Sequence, residues 1–270
     1  IDISDNGYEL LKIARDLFEL ASGYSEDINS QFTTKIIDKA GNETLGTSNG
    51  SLLHIDEIIP IIDSVSIKTN NTFSDNWATI SDSIILVINS NEGLDIITAN
   101  LGSFAMTVIG STNGTEQNCT YVVDILDSEG TVSFSIEYAD TAGNIGLPIT
   151  ETTNGEIVGI DNNKPIINGL MEGENNLDPN YYNRSDSITI YWTHNDTTSG
   201  IREVYFSLGS MPNSSNVAPW TNGGINDYGG WNNLNLENNT MYYGAAFVVD
   251  SAGNNSDTIW GNGVYIDNEI

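Results

Sequence analysis

The sequence predicts an all-β protein built of antiparallel β-sandwiches arranged in tandem. The pentad Asp-x-Ala-Gly-Asn occurs three times, at Asp38–Asn42, Asp140–Asn144 and Asp250–Asn254. Each copy follows a run rich in aromatic and β-branched residues, which is the composition of a strand. The copies begin 102 and 110 residues apart, a spacing too long for a solenoid repeat and typical of a small β-sandwich.

A second landmark divides the chain into units. An Ile-Asp pair follows each pentad, and its Asp lies 17 to 21 residues after the first residue of the pentad. The pairs are Ile55-Asp56, Ile160-Asp161 and Ile266-Asp267. If a unit ends just after each pair, the chain holds the C-terminal part of one unit and then two complete units. We call them the N-terminal segment (1–58), the middle unit (59–163) and the C-terminal unit (164–270).

The middle unit has the clearest strand pattern. Pro60–Ile67 alternates, Ser83–Ile88 is a short β-branched apolar run, and Cys119–Ile125 has a similar composition. Val132–Tyr138 alternates strictly, so that every second side chain lies on one face. Because turn clusters and no helical pattern separate these runs, we predict an antiparallel sandwich.

Residues 8–21 have the composition of a helix, with apolar side chains at a period of 3.6 residues. The phase of the repeat, however, aligns Leu17–Ala21 with Cys119–Val123 of the middle unit, which predicts a strand. We expect a strand at the end of this run and allow one or two helical turns before it.

The charge balance limits the classes of partner. The net charge is −29, from 37 acidic and 8 basic residues, which argues against nucleic acid and against docking on anionic lipid. No apolar stretch is long enough to span a bilayer, and the chain begins without an initiator Met or a signal peptide. We therefore expect a piece of a longer extracellular or cell-surface protein, whose acidity serves solubility or collects cations.

Cys119 is the only cysteine, so no internal disulfide can form. It lies in a strand-like run, and we expect it to be a small buried apolar residue. Stability must then come from core burial or from bound metal.

The pentad has a structural interpretation. Gly41, Gly143 and Gly253 would supply a positive φ for a tight reversal into the last hairpin of each unit. The Asp carboxylate would bond the amides of the turn, and Ala would lie where a larger side chain has no room. A metal-binding or ligand-binding role for the motif is the alternative.

The C-terminal unit contains two further structural candidates. Trp192 ends a strand-like run and would be the large core residue. Leu236, Thr240 and Tyr242 have the spacing of a tyrosine corner, in which the phenol bonds upstream backbone and fixes the crossover between sheets.

These features resemble known modules. The run 127–136 and the pentad at 140–144 make the middle unit resemble bacterial immunoglobulin-like repeats, and the N-terminal segment looks like the C-terminal part of such a repeat. Trp192, Trp220 and the tyrosine corner make the C-terminal unit similar to a fibronectin type III domain, although Asn238 stands where that family usually has Pro. The resemblance implies spacers or binding modules of large bacterial surface or adhesin-type proteins, in some of which Ca²⁺ rigidifies the junctions between domains.

Oxygen-rich junctions suggest a calcium site between units. Carboxylates, amides and backbone carbonyls are the ligands that Ca²⁺ prefers. The candidate ligands, with each junction drawing on the pentad before it or on a neighbouring loop, are Asp38, Asp56, Glu57, Asp140, Asp161, Asn163 and Asp267. The alternative is that these are ordinary turn residues, since no EF-hand spacing is present.

A loop rich in Gly and Asn suggests a sugar site. Trp220, Tyr228 and Trp231 lie within it, and exposed aromatic faces flanked by amides suit a sugar ring. The alternative is that Trp220 covers an open edge of the core.

Catalysis is not expected. His54 and His194 have no metal-ligand spacing to each other, and no hydrolase, metalloprotease or phosphate-binding motif occurs. We predict a structural or adhesive spacer, with other domains of the same long chain and surface glycans or host cell-surface proteins as partners. A carbohydrate-binding or accessory module of a secreted glycan-active enzyme is the alternative.

Overall fold

The computed structural model describes residues 35–37, 43–45, 56–110, 114–174 and 177–268. Every regular element in these ranges is a β-strand, which confirms the all-β prediction. Within them, no helix offers the length and apolar character that crossing a bilayer would need. The helix-or-strand question at residues 8–21 falls outside the described ranges.

In the N-terminal segment, β1 (Lys35–Ile37) pairs antiparallel with β2 (Glu43–Leu45). Ile36 lies opposite Thr44, so the two strands form the arms of a hairpin. The first pentad lies between them, outside the described residues, where the sequence predicts a chain reversal.

Nine strands form the middle unit. They are β3 (Ile62–Thr69), β4 (Trp77–Ala78), β5 (Ser83–Leu101), β6 (Phe104–Ala105), β7 (Thr107–Gly110), β8 (Gly114–Val122), β9 (Gly130–Thr131), β10 (Phe134–Asp140) and β11 (Gly159–Ile160). The strand β5 is shared: its first part pairs with β3 and β8, and beyond an irregularity at 89–94 it pairs with β10 and β6. This one long strand therefore lies at the centre of a sheet with β3, β6, β7, β8 and β10, while a second sheet has the order β4-β11-β9.

The predicted strand Cys119–Ile125 ends earlier than expected. β8 stops at Val122 because the next residues turn around the carboxylate of Asp127. That carboxylate accepts hydrogen bonds from the Asp124 amide at 2.7 Å and from the Tyr121 hydroxyl at 2.7 Å. A side chain that bonds local backbone amides competes with the sheet ladder in this way.

The middle unit has one apolar core. The predicted alternation is observed, because Phe134, Ile136 and Tyr138 are buried on one face of β10. Cys119 is fully buried in the same core, as predicted, and burial raises the pKa of its thiol to about 11.

Nine strands also form the C-terminal unit. They are β12 (Ile166–Glu172), β13 (Tyr181–Tyr182), β14 (Ser187–Asn195), β15 (Ile201–Gly209), β16 (Ala218–Asn222), β17 (Tyr228–Asn232), β18 (Thr240–Asp250), β19 (Ile259–Trp260) and β20 (Val264–Ile266). One sheet has the order β12-β14-β17, and the other has the order β13-β20-β18-β15-β16, with β19 on β18. The unit is thus a two-sheet sandwich.

Both structural predictions for this unit are confirmed. Trp192 is 1% exposed, its ring lies 5.5 Å from that of Phe206, and its indole N–H donates to the Asn226 carbonyl at 2.9 Å. Tyr242 is buried, and its phenol oxygen accepts a hydrogen bond from the Glu237 amide at 2.8 Å. The corner therefore forms although Asn238 replaces the usual Pro.

The apolar cores of the two units are separate. One buried cluster lies within residues 62–160, and the other two lie within 167–266. The boundaries at 58/59 and 163/164 remain predictions from the sequence.

Candidate cation-binding junctions and an aromatic surface

The pentad turns of the middle and C-terminal units have the same geometry. The Asp140 carboxylate accepts the Asn144 amide at 2.9 Å, and the Asp250 carboxylate accepts the Asn254 amide at 2.8 Å. The glycine φ is 93° in both copies. Gly143 and Gly253 thus have the positive φ that the sequence predicts, and the Asp carboxylates bond the turn amides, whereas Gly41 lies outside the described residues.

The Ala position differs between the two turns. Ala252 is fully buried, as predicted, whereas Ala142 is exposed. The expected lack of room is therefore observed only in the C-terminal unit.

The pentad Asn has a second role that the sequence pattern does not indicate. The Asn144 side-chain amide donates to the Asp56 carbonyl at 3.0 Å. The Asn254 amide donates to the Asp161 carbonyl at 2.9 Å. Each pentad therefore holds the segment of chain that enters its own unit. The repeated Ile-Asp pair is a sequence signal that could have indicated this role, because the Asp of the pair supplies the carbonyl that the pentad Asn bonds in both cases.

Two groups of three carboxylates lie at these junctions. In each group, one oxygen from each residue lies within 4.8 Å of the others. The groups are Asp56, Glu92 and Asp140 at the first junction, and Asp161, Asp196 and Asp250 at the second. Both combine an acid of the entering segment with the pentad Asp. The third acid is Glu92, within β5, at the first junction and Asp196, just after β14, at the second. The entering acid and the pentad Asp thus meet at both junctions.

This geometry corrects the predicted pairing. The sequence predicts ligands from the pentad before each junction or from a neighbouring loop, but Asp56 meets Asp140 and Asp161 meets Asp250, the pentads that follow. The reason is that the strand before each pentad ends at the pole where the chain enters that unit. The predicted ligand set lacks Glu92, Asp196 and Asp250, because only the fold brings these distant residues to the junctions.

Burial and hydrogen bonding act differently on the two pentad carboxylates. Burial alone would raise the pKa of Asp140, but bonds from the Asn144 side chain and the turn amides hold that pKa below its usual value. Burial raises the pKa of Asp250 to about 6, and the negative charges of Asp161 and Asp196 add to the effect of burial. The second junction therefore concentrates negative charge where water is excluded.

The middle unit adds oxygen atoms to the second junction. The Glu129 carboxylate accepts the Asn162 amide at 3.0 Å, and burial together with the neighbouring Asp161 and Asp196 raises the pKa of Glu129. The Asn162 side-chain oxygen is buried without a hydrogen-bond partner among the described residues. A set of closely spaced carboxylates with an unsatisfied amide oxygen nearby fits a hard cation such as Ca²⁺.

The other predicted ligands lie apart from these groups. The Glu57 side chain is exposed, and Asn163 contributes its backbone amide to the Asp161 carboxylate at 3.2 Å. Asp267 lies at the far pole of the C-terminal unit, where it lines an open cavity of about 420 Å³ with Glu174 and other residues. Asp38 lies outside the described residues.

The three predicted sugar-binding residues do not form one surface. Trp220 lies on β16, whereas Tyr228 and Trp231 lie on β17 of the other sheet. Trp231 packs against Phe206 with ring centroids 4.7 Å apart, and Tyr228 lies 5.9 Å from Tyr191. The residue that covers the core is thus Trp231, and not Trp220 as the alternative assumed.

Trp220 instead belongs to an aromatic band across four strands of the second sheet. Its ring lies 5.1 Å from Phe247 and 6.4 Å from Trp260, and Tyr205 stacks on Phe247 at 5.1 Å. Trp220 is 38% exposed and the other three rings are half-buried. We call Tyr205, Trp220, Phe247 and Trp260 the aromatic band.

His194 lies at the end of β14. Its Nε2 is 3.3 Å from the Ile225 carbonyl oxygen and 3.2 Å from an Asp227 carboxylate oxygen. These contacts connect β14 to the turn before β17. His54 lies outside the described residues.

Comparison with known proteins gives matches among solved structures alone. No protein-family profile matches the chain, and no curated protein matches it. Domains A168–A170 of titin are 13% identical over 87% of this chain and 83% of that chain, with a TM-score of 0.46. The FN1–FN3 domains of chicken CNTN1 are 12% identical over 86% and 77%, with a TM-score of 0.36. The D00–D0 domain of intimin is 14% identical over 75% and 100%, with a TM-score of 0.28.

Proposed function

We propose that this chain is a structural or adhesive spacer of a large extracellular or cell-surface protein. The observation that carries the proposal is the serial connection of two separately packed sandwiches through one short junction, residues 161–165. Such a series holds whatever lies at its two ends at a fixed distance. The role is mechanical and non-catalytic, and its partners are other domains of the same chain and surface glycans or cell-surface proteins.

The acidic composition supports an extracellular setting. A net charge of −29 keeps such a protein soluble and is screened within about 8 Å at physiological ionic strength. The single cysteine is buried, so the fold is independent of oxidising conditions.

Solution scattering tests the spacer proposal. Two sandwiches of about 40 Å each in series predict a radius of gyration of roughly 25 Å, whereas a compact globule of this length has about 18 Å. We expect the larger value and an extended pair-distance distribution. A radius near the smaller value would mean that the units fold back on one another, and it would overturn the proposal.

We further propose that the junction carboxylates bind Ca²⁺ and so stiffen the spacer. Asp161, Asp196 and Asp250 would hold the ion at the second junction, with Glu129 close by. The bound ion would neutralise carboxylates that otherwise repel one another at a buried site. Because Asp161 belongs to the connecting segment and Asp250 to the C-terminal unit, the ion would join them directly.

Thermal unfolding with and without chelator tests calcium binding. A site with a Kd of roughly 0.1 mM gains about 1.4 kcal/mol at 1 mM Ca²⁺, or roughly 5–10 °C for a unit of this size. Asp196→Asn keeps the oxygen that accepts the Thr198 and Gly200 amides but removes the charge, so it should reduce the shift. Glu237→Gln, which changes an exposed side chain of the C-terminal unit outside the carboxylate groups, should leave the shift intact. An unchanged melting temperature in EDTA would exclude the calcium proposal.

The aromatic band supports the alternative of a glycan-binding accessory module. Half-exposed rings stack on sugars, and the neighbouring pair of Glu203 and Asn222, 2.5 Å apart, offers hydrogen-bonding groups for hydroxyls. We expect a neutral polysaccharide to quench tryptophan fluorescence saturably, and Trp220→Ala to weaken the effect while Tyr228→Ala does not. If no neutral glycan tested changes the fluorescence spectrum, the glycan-binding alternative is excluded and the spacer role remains.

A further inference from the structure

The middle unit contacts the C-terminal unit through its loop 70–82. The Asn71 side-chain amide donates to the Ala252 carbonyl at 2.8 Å. The Thr79 hydroxyl donates to the Asn254 side-chain oxygen at 2.7 Å. Both acceptors belong to the third pentad, so this turn faces the preceding unit as well as its own hairpin.

Gly253 lies directly against the Phe73 ring. A Cβ atom at this position would come within 2.5 Å of the ring, closer than any real contact between carbon atoms. The φ of 93° already favours glycine here. The position therefore requires glycine for two independent reasons, one inside the turn and one between the units.

The Asn254 side chain uses both of its polar atoms at the interface. Its oxygen accepts from Thr79, and its amide donates to the Asp161 carbonyl at 2.9 Å and to the Asp250 carboxylate at 2.9 Å. One side chain thus connects the loop of the middle unit, the connecting segment and its own turn.

Arg202 of the C-terminal unit also contacts Phe73. Its guanidinium lies 5.5 Å from the centre of the ring and donates to the Phe73 carbonyl oxygen. A cation over an aromatic face adds attraction to the apolar contact. Phe73 therefore contacts both Gly253 and Arg202, which belong to the C-terminal unit.

The second pentad provides an internal comparison. Gly143 has the same φ of 93°, and Asn144 makes the equivalent bond to the Asp56 carbonyl. Among the described residues, however, no atom lies within 4 Å of a Cβ placed on Gly143. Within the part of the chain that the structure describes, the two glycines therefore agree in backbone conformation and differ in that only Gly253 has a neighbouring ring.

We propose that the turn Asp250–Asn254 is a docking socket for the loop 70–82 of the unit before it. The socket fixes the angle between the middle and C-terminal units, so that they move as one rigid body. This goes beyond the spacer role, because it assigns an interface between units to a motif whose sequence predicts only a turn. It also needs no bound cation.

Distances between spin labels on the two units test the socket. Labels at Glu156→Cys and Asn232→Cys lie on exposed positions of the middle and C-terminal units, and the buried Cys119 thiol stays protonated and unlabelled. Measurements are made on the full chain in EDTA, so that cation binding does not contribute. We expect a narrow distance distribution in the parent chain.

Gly253→Ala and Gly143→Ala form the decisive pair. Both substitutions impose the same backbone strain, but only the first displaces Phe73. We expect Gly253→Ala to widen the distribution about twofold, since units without a specific interface move freely, and Gly143→Ala to leave it narrow. Equal widening by both would assign the effect to turn strain and overturn the proposal.

Phe73→Ala is a second variant that tests the same interface if Gly253→Ala unfolds the C-terminal unit. Phe73 is 45% exposed and lies in the other unit, so its removal leaves the turn itself unchanged. We expect this variant to widen the distribution while circular dichroism stays that of the parent. A narrow distribution in Phe73→Ala would overturn the proposal, whatever the radius of gyration of the parent chain.

Discussion

Glu172 is a buried carboxyl group at the end of β12. One of its oxygens accepts the Gly244 amide at 2.9 Å and the Gly263 amide at 3.3 Å, and the other has no partner among the described residues. Burial, together with the charge of Asp178, raises the pKa of Glu172 to about 7, although the two amides act in the opposite direction. The folded state therefore favours the protonated acid.

This raised pKa predicts that stability falls as pH rises. The unfolded chain releases the proton near pH 4.5 and the folded chain near pH 7, so the loss accumulates between these values and is complete above the higher one. Glu172→Gln keeps an acceptor oxygen and cannot ionise. At pH 8 we expect the variant to be more stable than the parent by about 1–3 kcal/mol in urea unfolding, and at pH 4 to be close to it.

Glu237→Gln is the control for this prediction. The Glu237 side chain is exposed in the same unit, so its substitution changes the net charge equally without touching the buried site. It should leave the pH dependence as in the parent. A Glu172→Gln chain that keeps the full loss of stability between pH 4 and pH 8 would contradict the assignment.

At the scale of elements, the pentad acts in two ways. Its carboxylate closes the turn at 2.8–2.9 Å in both described copies, which is a local interaction. Its Asn side chain bonds a carbonyl more than 80 residues away along the chain, which only the folded sandwich can bring near. The hydrogen bond that closes the turn involves only the five residues of the pentad, whereas the hydrogen bond of the Asn side chain requires the whole folded unit.

The edge strand β7 is the weak element of the middle unit. It is the last strand in the order of its sheet, and all four of its residues are exposed, including Val108 and Ile109 at 41% and 55%. An exposed apolar edge can pair with another molecule. We expect Ile109→Lys to lower self-association in light scattering at high protein concentration, with a change in stability within about 0.5 kcal/mol.

Ile225→Lys is the matched control for the edge. Ile225 is 64% exposed but lies in a turn of the C-terminal unit, so the same change of residue and charge occurs away from any strand edge. It should reduce association less than Ile109→Lys. If both substitutions lower self-association equally, the decrease is due to the added positive charge and not to the strand edge.

At the scale of the whole molecule, like charges repel one another throughout. With 37 acidic and 8 basic residues, the compact state concentrates negative charge that the unfolded chain spreads out. Raising NaCl from 20 mM to 300 mM in EDTA should therefore raise the melting temperature by roughly 4–8 °C, which corresponds to about 1 kcal/mol in a unit of this size. Choline chloride at equal ionic strength should act alike, because screening does not depend on the cation. A flat or falling melting temperature would contradict this expectation.

Residue patterns with local causes were predictable from the sequence. The strict alternation of β10, the glycine of the pentad turn and the tyrosine corner each depend on neighbours within a few residues, and each is observed. Trp192 was predictable because a large aromatic at the end of an apolar strand has few positions except the core.

Which distant residues meet depends on the folded structure. The pairing of Asp161 with Asp196 and Asp250, and the seating of Phe73 on Gly253, join segments that are far apart along the chain. The periodicity of apolar residues predicts which face of a strand is buried, but it does not predict which loops lie together at the same end of a sandwich. The kind of unit and its repetition follow from the sequence alone, because these depend on local pattern. The contacts between units depend on the direction in which each strand leaves the sandwich, and that direction exists only once both sheets are packed.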